Sequence, residues 1–233
     1  MVRRLAASRL PPWLVRRKTR TCMLRILLVR PGCTDFDQQG RIKGTLDIPL
    51  CEAGSCQAAK TAGQLADFAI DTLYAAPCRS AHQSANAIAA SQRLKVKSLD
   101  ELQNVDHGLW HGKLINEVKQ TQPRLYRQGQ DHADSICPPQ GEPIAASRER
   151  VRKALARILK KHRNGVIGLV VPEPLASVVD SELQHRELTD LWENECDDGG
   201  WNLYDVVADP ESELGFRGTV AVGTPLTLTA KGA

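Results

Sequence analysis

The chain has 233 residues, of which 42% are hydrophobic and 25% charged, ordinary proportions for a globular protein. No run of about 18 apolar residues occurs, so no membrane-spanning helix is expected. The net charge of +4 misleads: residues 1–22 hold seven basic side chains and no acid, leaving 24 basic against 27 acidic residues in 23–233. That body, at about −3, is unlike a nucleic-acid-binding surface.

The basic extension 1–22 lacks the apolar core of a secretory signal, because Arg9 and Pro11-Pro12 interrupt it. It reads as a disordered arm or a mis-assigned start, with Met23 directly before the first apolar run. Residues 23–233 are expected to form a single domain. The seven cysteines (Cys22, Cys33, Cys51, Cys56, Cys78, Cys137 and Cys196) include no C-x-x-C pair, so neither a zinc ribbon nor a redox motif is suggested. They read as reduced thiols of a cytoplasmic protein.

In chain order, 24–29 is an apolar strand that breaks at Arg30-Pro31-Gly32. Residues 52–68 read as a helix, with Ala58, Ala62 and Leu65, and Ala69 just past its end, at helical spacing on one face. A short strand over 72–75 precedes an alanine-rich helix over 79–90, and 94–98 is a further strand. Residues 113–143 are polar and contain Pro123, Pro138 and Pro139; they read as an inserted, lid-like excursion with one helix near 114–120. A helix over 144–162 leads through Gly165 into a fully apolar, buried strand at 166–171. A helix over 174–184 and weaker strands at 202–207 and 219–222 complete the reading. Strand–helix alternation predicts an α/β three-layer sandwich, a mostly parallel sheet with helices on both faces.

Ligands of such sheets sit at the carboxyl ends of the strands. Arg30 follows the first strand and Arg79 the second, so the two can face one crevice. Paired guanidinium groups suit phosphate, since each offers a planar fork of donors. The competing reading pairs each arginine with a nearby carboxylate, and Glu173, at the end of the 166–171 strand, is a candidate competitor.

The segment from Arg30 to Ala58 resembles the histidine phosphatase superfamily, of the phosphoglycerate mutase type. The family reads R-H-G-x-[ST], then G-R-x-x-G-x-x-D-x-P-L-x-x-x-G-x-x-Q-A. Here Arg30-Pro31-Gly32-Cys33-Thr34 is followed in register by Gly40, Arg41, Gly44, Asp47, Pro49, Leu50, Gly54, Gln57 and Ala58. Four more words follow in order: YAAPCRSAHQSANAIA, LQNVDHGLWHG, PPQGEPIAASRERV and VIGLVVPEP. The resemblance implies a phosphoglycerate-mutase-like fold. It also implies phosphate contacts from Arg30, Arg79 and Thr34, and a small phosphorylated ligand. No cofactor, metal, nucleic acid or membrane is implied.

The same alignment of words implies three losses. The family's nucleophilic histidine corresponds to Pro31, its acidic proton donor to Asn104, and its second, phosphoryl-binding histidine to Pro172. Proline has no lone pair to attack phosphorus, and asparagine cannot act as a general acid. The expected protein is therefore folded but catalytically inactive, with an anion pocket retained or vestigial, the latter serving as a scaffold. The alternative is an active phosphatase or mutase with substitute groups, for which Cys33, His107 and His111 are the candidates. A loop histidine, however, is more often a solvated surface group. Thr34 can equally be a helix cap. His162, near a helix C-terminus, reads as a favourable dipole contact.

Overall fold

The computed structural model describes residues 23–188, 190–192, 199–208 and 215–221. The basic extension 1–22 and Val222 lie outside the described residues.

Strand β1 (Leu24–Val29) lies next to the centre of a six-stranded sheet with order β3-β2-β4-β1-β5-β6. Four strands run parallel: β2 (Thr72–Ala75), β3 (Val96–Ser98), β4 (Gly165–Val170) and β1 itself. Strands β5 (Trp201–Ala208) and β6 (Phe216–Val220) extend one edge in antiparallel pairing. The β1–β4 register runs from Leu24 opposite Gly165 to Val29 opposite Val170, so both strands end level. Ile26, Leu27, Leu28 and Val29 are all buried. Consecutive burial means both faces are covered, as an apolar run without alternation requires.

The covering helices come in pairs. Helix α2 (Glu52–Gln64) packs on α3 (Arg79–Gln92), and α6 (Ile144–Lys161) on α7 (Leu175–Gln184). Helix α2 stops earlier than its apolar spacing predicts: Leu65 caps it, and Phe68 turns back to meet Trp201 edge-on, with ring centroids 5.3 Å apart. Strand β3 starts two residues late because Arg93, at φ 57°, closes α3 and sends the Leu94 N–H to the Ala89 carbonyl.

Short helix α1 (Asp35–Gln39) was not expected. It exists through a reciprocal cap, in which the Thr34 and Asp37 side chains each accept the other's backbone N–H. Gly40 ends it in the left-handed region.

The insert is more regular than its polarity predicts. It contains α4 (Ile115–Thr121) and α5 (Pro123–Asp131), the second opened by Pro123 in the first helical turn. Val118, Ala133 and Ile136 are buried, and Trp110 donates to Gln122 at 3.0 Å, so this segment shares the core of the body.

Candidate functional site

Strands β2, β4 and β1 are neighbours and parallel, so their carboxyl ends form one rim of the sheet. The residues that follow them are Arg79, Glu173 and Arg30, with the β4 end between the other two.

Arg30 is buried. Its Nε donates to Glu173 Oε1 at 2.5 Å and its Nη1 to Asn202 Oδ1 at 3.1 Å. Glu173 is fully buried, and its Oε2 accepts the Ser177 N–H at 2.9 Å in the first turn of α7. The carboxylate anticipated as a competitor thus occupies the guanidinium. Burial by itself would lower Arg30, but the adjacent Glu173 carboxylate more than offsets this and holds it above its ordinary value. Burial pushes the Glu173 carboxyl up, and the Arg30 and Ser177 donors pull against that rise.

Arg79 differs. It is exposed at the start of α3, its backbone N–H donates to Asp47 Oδ1 at 2.7 Å, and its guanidinium makes no ion pair with another described residue.

The turn after β1 has its donors engaged internally. Arg30 N–H donates to the Gly200 carbonyl at 2.8 Å, Gly32 N–H to Ser84 Oγ at 3.1 Å, and Cys33 N–H to Gln57 Oε1 at 2.7 Å. Thr34 N–H and Oγ1 both donate to Asp37 Oδ2, at 2.7 and 2.8 Å. Pro31 has no N–H to offer. Thr34 is completely buried and serves as the cap of α1, while Lys43 holds the other Asp37 oxygen. The turn packs without clearance on α2: a Cβ on Gly32 would stand 2.1 Å from the Gly54 carbonyl oxygen, and one on Gly54 would stand 1.9 Å from that of Cys33.

Pro31 and Pro172 are both buried at strand ends. The Pro31 carbonyl accepts the Gly199 N–H at 2.8 Å, and the Pro172 carbonyl accepts the Ala176 N–H at 3.0 Å. Asn104 is buried beside them and fully used. Its Nδ2 donates to the carbonyls of Gly44 (3.0 Å) and Glu173 (2.8 Å), and its Oδ1 accepts the Leu175 N–H at 3.3 Å.

Of the histidines considered as substitutes, His107 corrects its expectation as a solvated group. It is completely buried and stacked near Trp110, with ring centroids 6.3 Å apart, because the 104–112 loop folds inward onto that indole. His111 Nε2 lies 3.1 Å from the His107 N–H and 3.3 Å from the Thr45 N–H. Cys33 is buried with its sulfur 3.1 Å from that of Cys51. His162 closes α6 as expected, with its Nε2 3.0 Å from the Tyr74 hydroxyl, while burial first, then Lys161 and Lys97, hold its imidazole below its ordinary value. Asn202 is the site residue that sequence reasoning missed; it lies on an antiparallel strand with no motif to mark it.

No helix among the described residues is long and apolar enough to cross a membrane. The chain is 28% identical over 181 residues to phosphoserine phosphatase 1 of Hydrogenobacter thermophilus, covering 78% of this chain and 86% of that protein. It is 32% identical over 161 residues to a bifunctional protein of Mycobacterium tuberculosis, of which it spans only 43%. Among solved structures, one titled mycobacterial hydrolase 1 superposes with a TM-score of 0.74 at 20% identity, covering 86% of this chain and 98% of that one. A mycobacterial glucosyl-3-phosphoglycerate phosphatase superposes with a TM-score of 0.72 at 20% identity, covering 84% and 96%. These structural likenesses establish the α/β fold with its largely parallel, helix-flanked sheet. The profile of the histidine phosphatase superfamily (branch 1) matches residues 26–212, and the chain belongs to that superfamily.

Proposed function

We propose that this chain is a catalytically silent histidine phosphatase fold whose anion pocket is filled from within. The observation that carries this reading is the buried Arg30–Glu173 pair, at 2.5 Å. An incoming phosphate oxygen would have to displace a carboxylate that also accepts the Ser177 N–H. Such a displacement leaves an anion buried without its cation, which costs several kcal/mol.

The chemistry of the neighbouring positions agrees. Pro31 and Pro172 stand where the family resemblance places imidazoles, and Asn104, where it places an acid, is committed as a hydrogen-bonding strut. Removing a nucleophile alone lowers rate by about 10⁶ in a well-studied hydrolase. Here three roles are missing together.

A weaker second reading keeps ligand binding without turnover. Arg79 is exposed and its guanidinium has no ion-pair partner among the described residues, so it is available to a small phosphorylated ligand. The relative named as a phosphoserine phosphatase makes phosphomonoesters the class to try.

The test is turnover of a phosphomonoester panel, phosphoserine included, by the purified chain beside Arg30→Ala. Equal, background-level rates support a silent site. Turnover that vanishes in the variant overturns the proposal.

A further inference from the structure

Eighteen positions apart in sequence, Cys33 and Cys51 meet in space. Thr34 and Leu50 form an antiparallel bridge, and one step outward along that register Cys33 faces Cys51. The Cys51 N–H donates to the Cys33 carbonyl at 3.1 Å. Residues facing each other across an antiparallel register have Cα atoms about 4.5–5.5 Å apart, inside the span that a disulfide bridges without backbone movement. The two sulfurs point at each other, 3.1 Å apart, and neither is bonded covalently to another cysteine.

Surroundings and access differ between the two. Cys51 caps α2, where the Gly54 N–H is aimed at its sulfur at 3.4 Å, and Gln38 Nε2 lies 3.4 Å from the same atom. Cys51 is partly exposed, whereas Cys33 is buried. One thiol can meet a soluble reagent, and the second waits behind it.

We propose that Cys33 and Cys51 form a reversible dithiol–disulfide site whose oxidant is a low-molecular-weight disulfide of the glutathione type. The Cys51 sulfur, its proton released to solvent, attacks one sulfur of the reagent. The reagent's S–S bond breaks, and the departing thiolate takes up a proton. Cys33, likewise deprotonated, then attacks the Cys51 sulfur of the mixed disulfide. The Cys33–Cys51 bond forms and the second reagent thiolate leaves and is protonated. Two protein thiols are oxidised, one disulfide is reduced to two thiols, and no proton is gained or lost overall.

The product ties the turn that carries Arg30 to the N-terminus of α2. These segments already touch through Gly32 and Gly54, so oxidation locks an existing contact. This inference is independent of whether the neighbouring pocket is silent.

The full chain is incubated with oxidised glutathione in native buffer and in denaturing urea, alkylated, and digested without reduction for mass spectrometry. The expected result is native protein lighter by two hydrogens, with the Cys33 peptide joined to the Cys51 peptide, a lower yield of that link in urea, and reversal by dithiothreitol. Cys33→Ser is expected to accumulate a stable glutathionyl group on Cys51. Should that variant fail to fold, the wild-type peptide map decides alone. A persistent glutathionyl group on Cys51 of wild type overturns the proposal. So does a link from Cys51 to any other cysteine, alkylation of both thiols, or equal yield in urea.

Discussion

Asn104 holds the main chain of Glu173 in place: its Nδ2 donates to the Glu173 carbonyl at 2.8 Å and to the Gly44 carbonyl at 3.0 Å, while its Oδ1 takes the Leu175 N–H. Only an amide can do all three, because a carboxylate has no hydrogen to give. Asn104→Asp, nearly the same shape, would turn an anion toward two buried carbonyl oxygens. It is expected to lower stability by on the order of 2–4 kcal/mol, measured by urea unfolding. An unchanged midpoint would contradict the strut role.

The Arg30–Glu173 pair supplies a second prediction. Arg30→Met strands a buried carboxylate and is expected to cost about 3–5 kcal/mol, whereas the double variant Arg30→Met/Glu173→Leu recovers most of that loss. The single variant also acquires a pH signature. Burial already raises Glu173 above the ordinary 4.5, and the cation opposing that rise is gone. A carboxyl with a raised folded value contributes stability that is present below the unfolded value and lost as pH rises through the folded one. The deficit of Arg30→Met should therefore be smallest in acid and grow toward neutrality, as read from unfolding curves across pH.

His162 should act with the opposite sign. Its folded value lies below 6.5 through burial and the nearby Lys161 and Lys97. The unfolded chain then binds more protons in that window, so stability falls as pH drops below about 6.5. Relative to His162→Gln, wild type is expected to gain stability as pH rises up to 6.5 and to run parallel above it. Urea titrations at a series of pH values check this, and a flat difference would rule it out.

Two glycines of α2 should respond differently to alanine. At Gly54 the added methyl would stand 1.9 Å from the Cys33 carbonyl oxygen, and at Gly63 it meets nothing within 4 Å. Gly54→Ala is expected to destabilise by about 1–3 kcal/mol or more, and Gly63→Ala to stabilise by about 0.5 kcal/mol through lower backbone entropy of the unfolded chain. Thermal melts of the two variants should move in opposite directions.

Much of this is legible in the sequence. The apolar run from Ile26 to Val29 has no polar alternation, so it had to be a strand covered on both faces. The helical spacing of Val151, Leu155 and Ile158 marks the buried side of α6. Both follow from periodicity, a local property that a chain carries in its order of residues. That Pro31 and Pro172 carry no imidazole and Asn104 no acid group is likewise a property of the residues alone. The limits of apolar periodicity appear at α1 and α5, whose existence depends on a reciprocal cap and an opening proline rather than on an apolar stripe.

What each side chain touches was decided by the tertiary structure. Glu173 reaches Arg30 across 143 positions because the sheet order sets β4 beside β1 with level ends. His107 is buried because its loop folds around Trp110, and nothing in the neighbouring residues marks that inward turn. Cys33 and Cys51 share no spacing motif; they meet because the turn after β1 runs antiparallel to the approach to α2. Periodicity records which face of an element is buried. The partners across that face depend on how distant elements are ordered and registered, and only the folded chain supplies that.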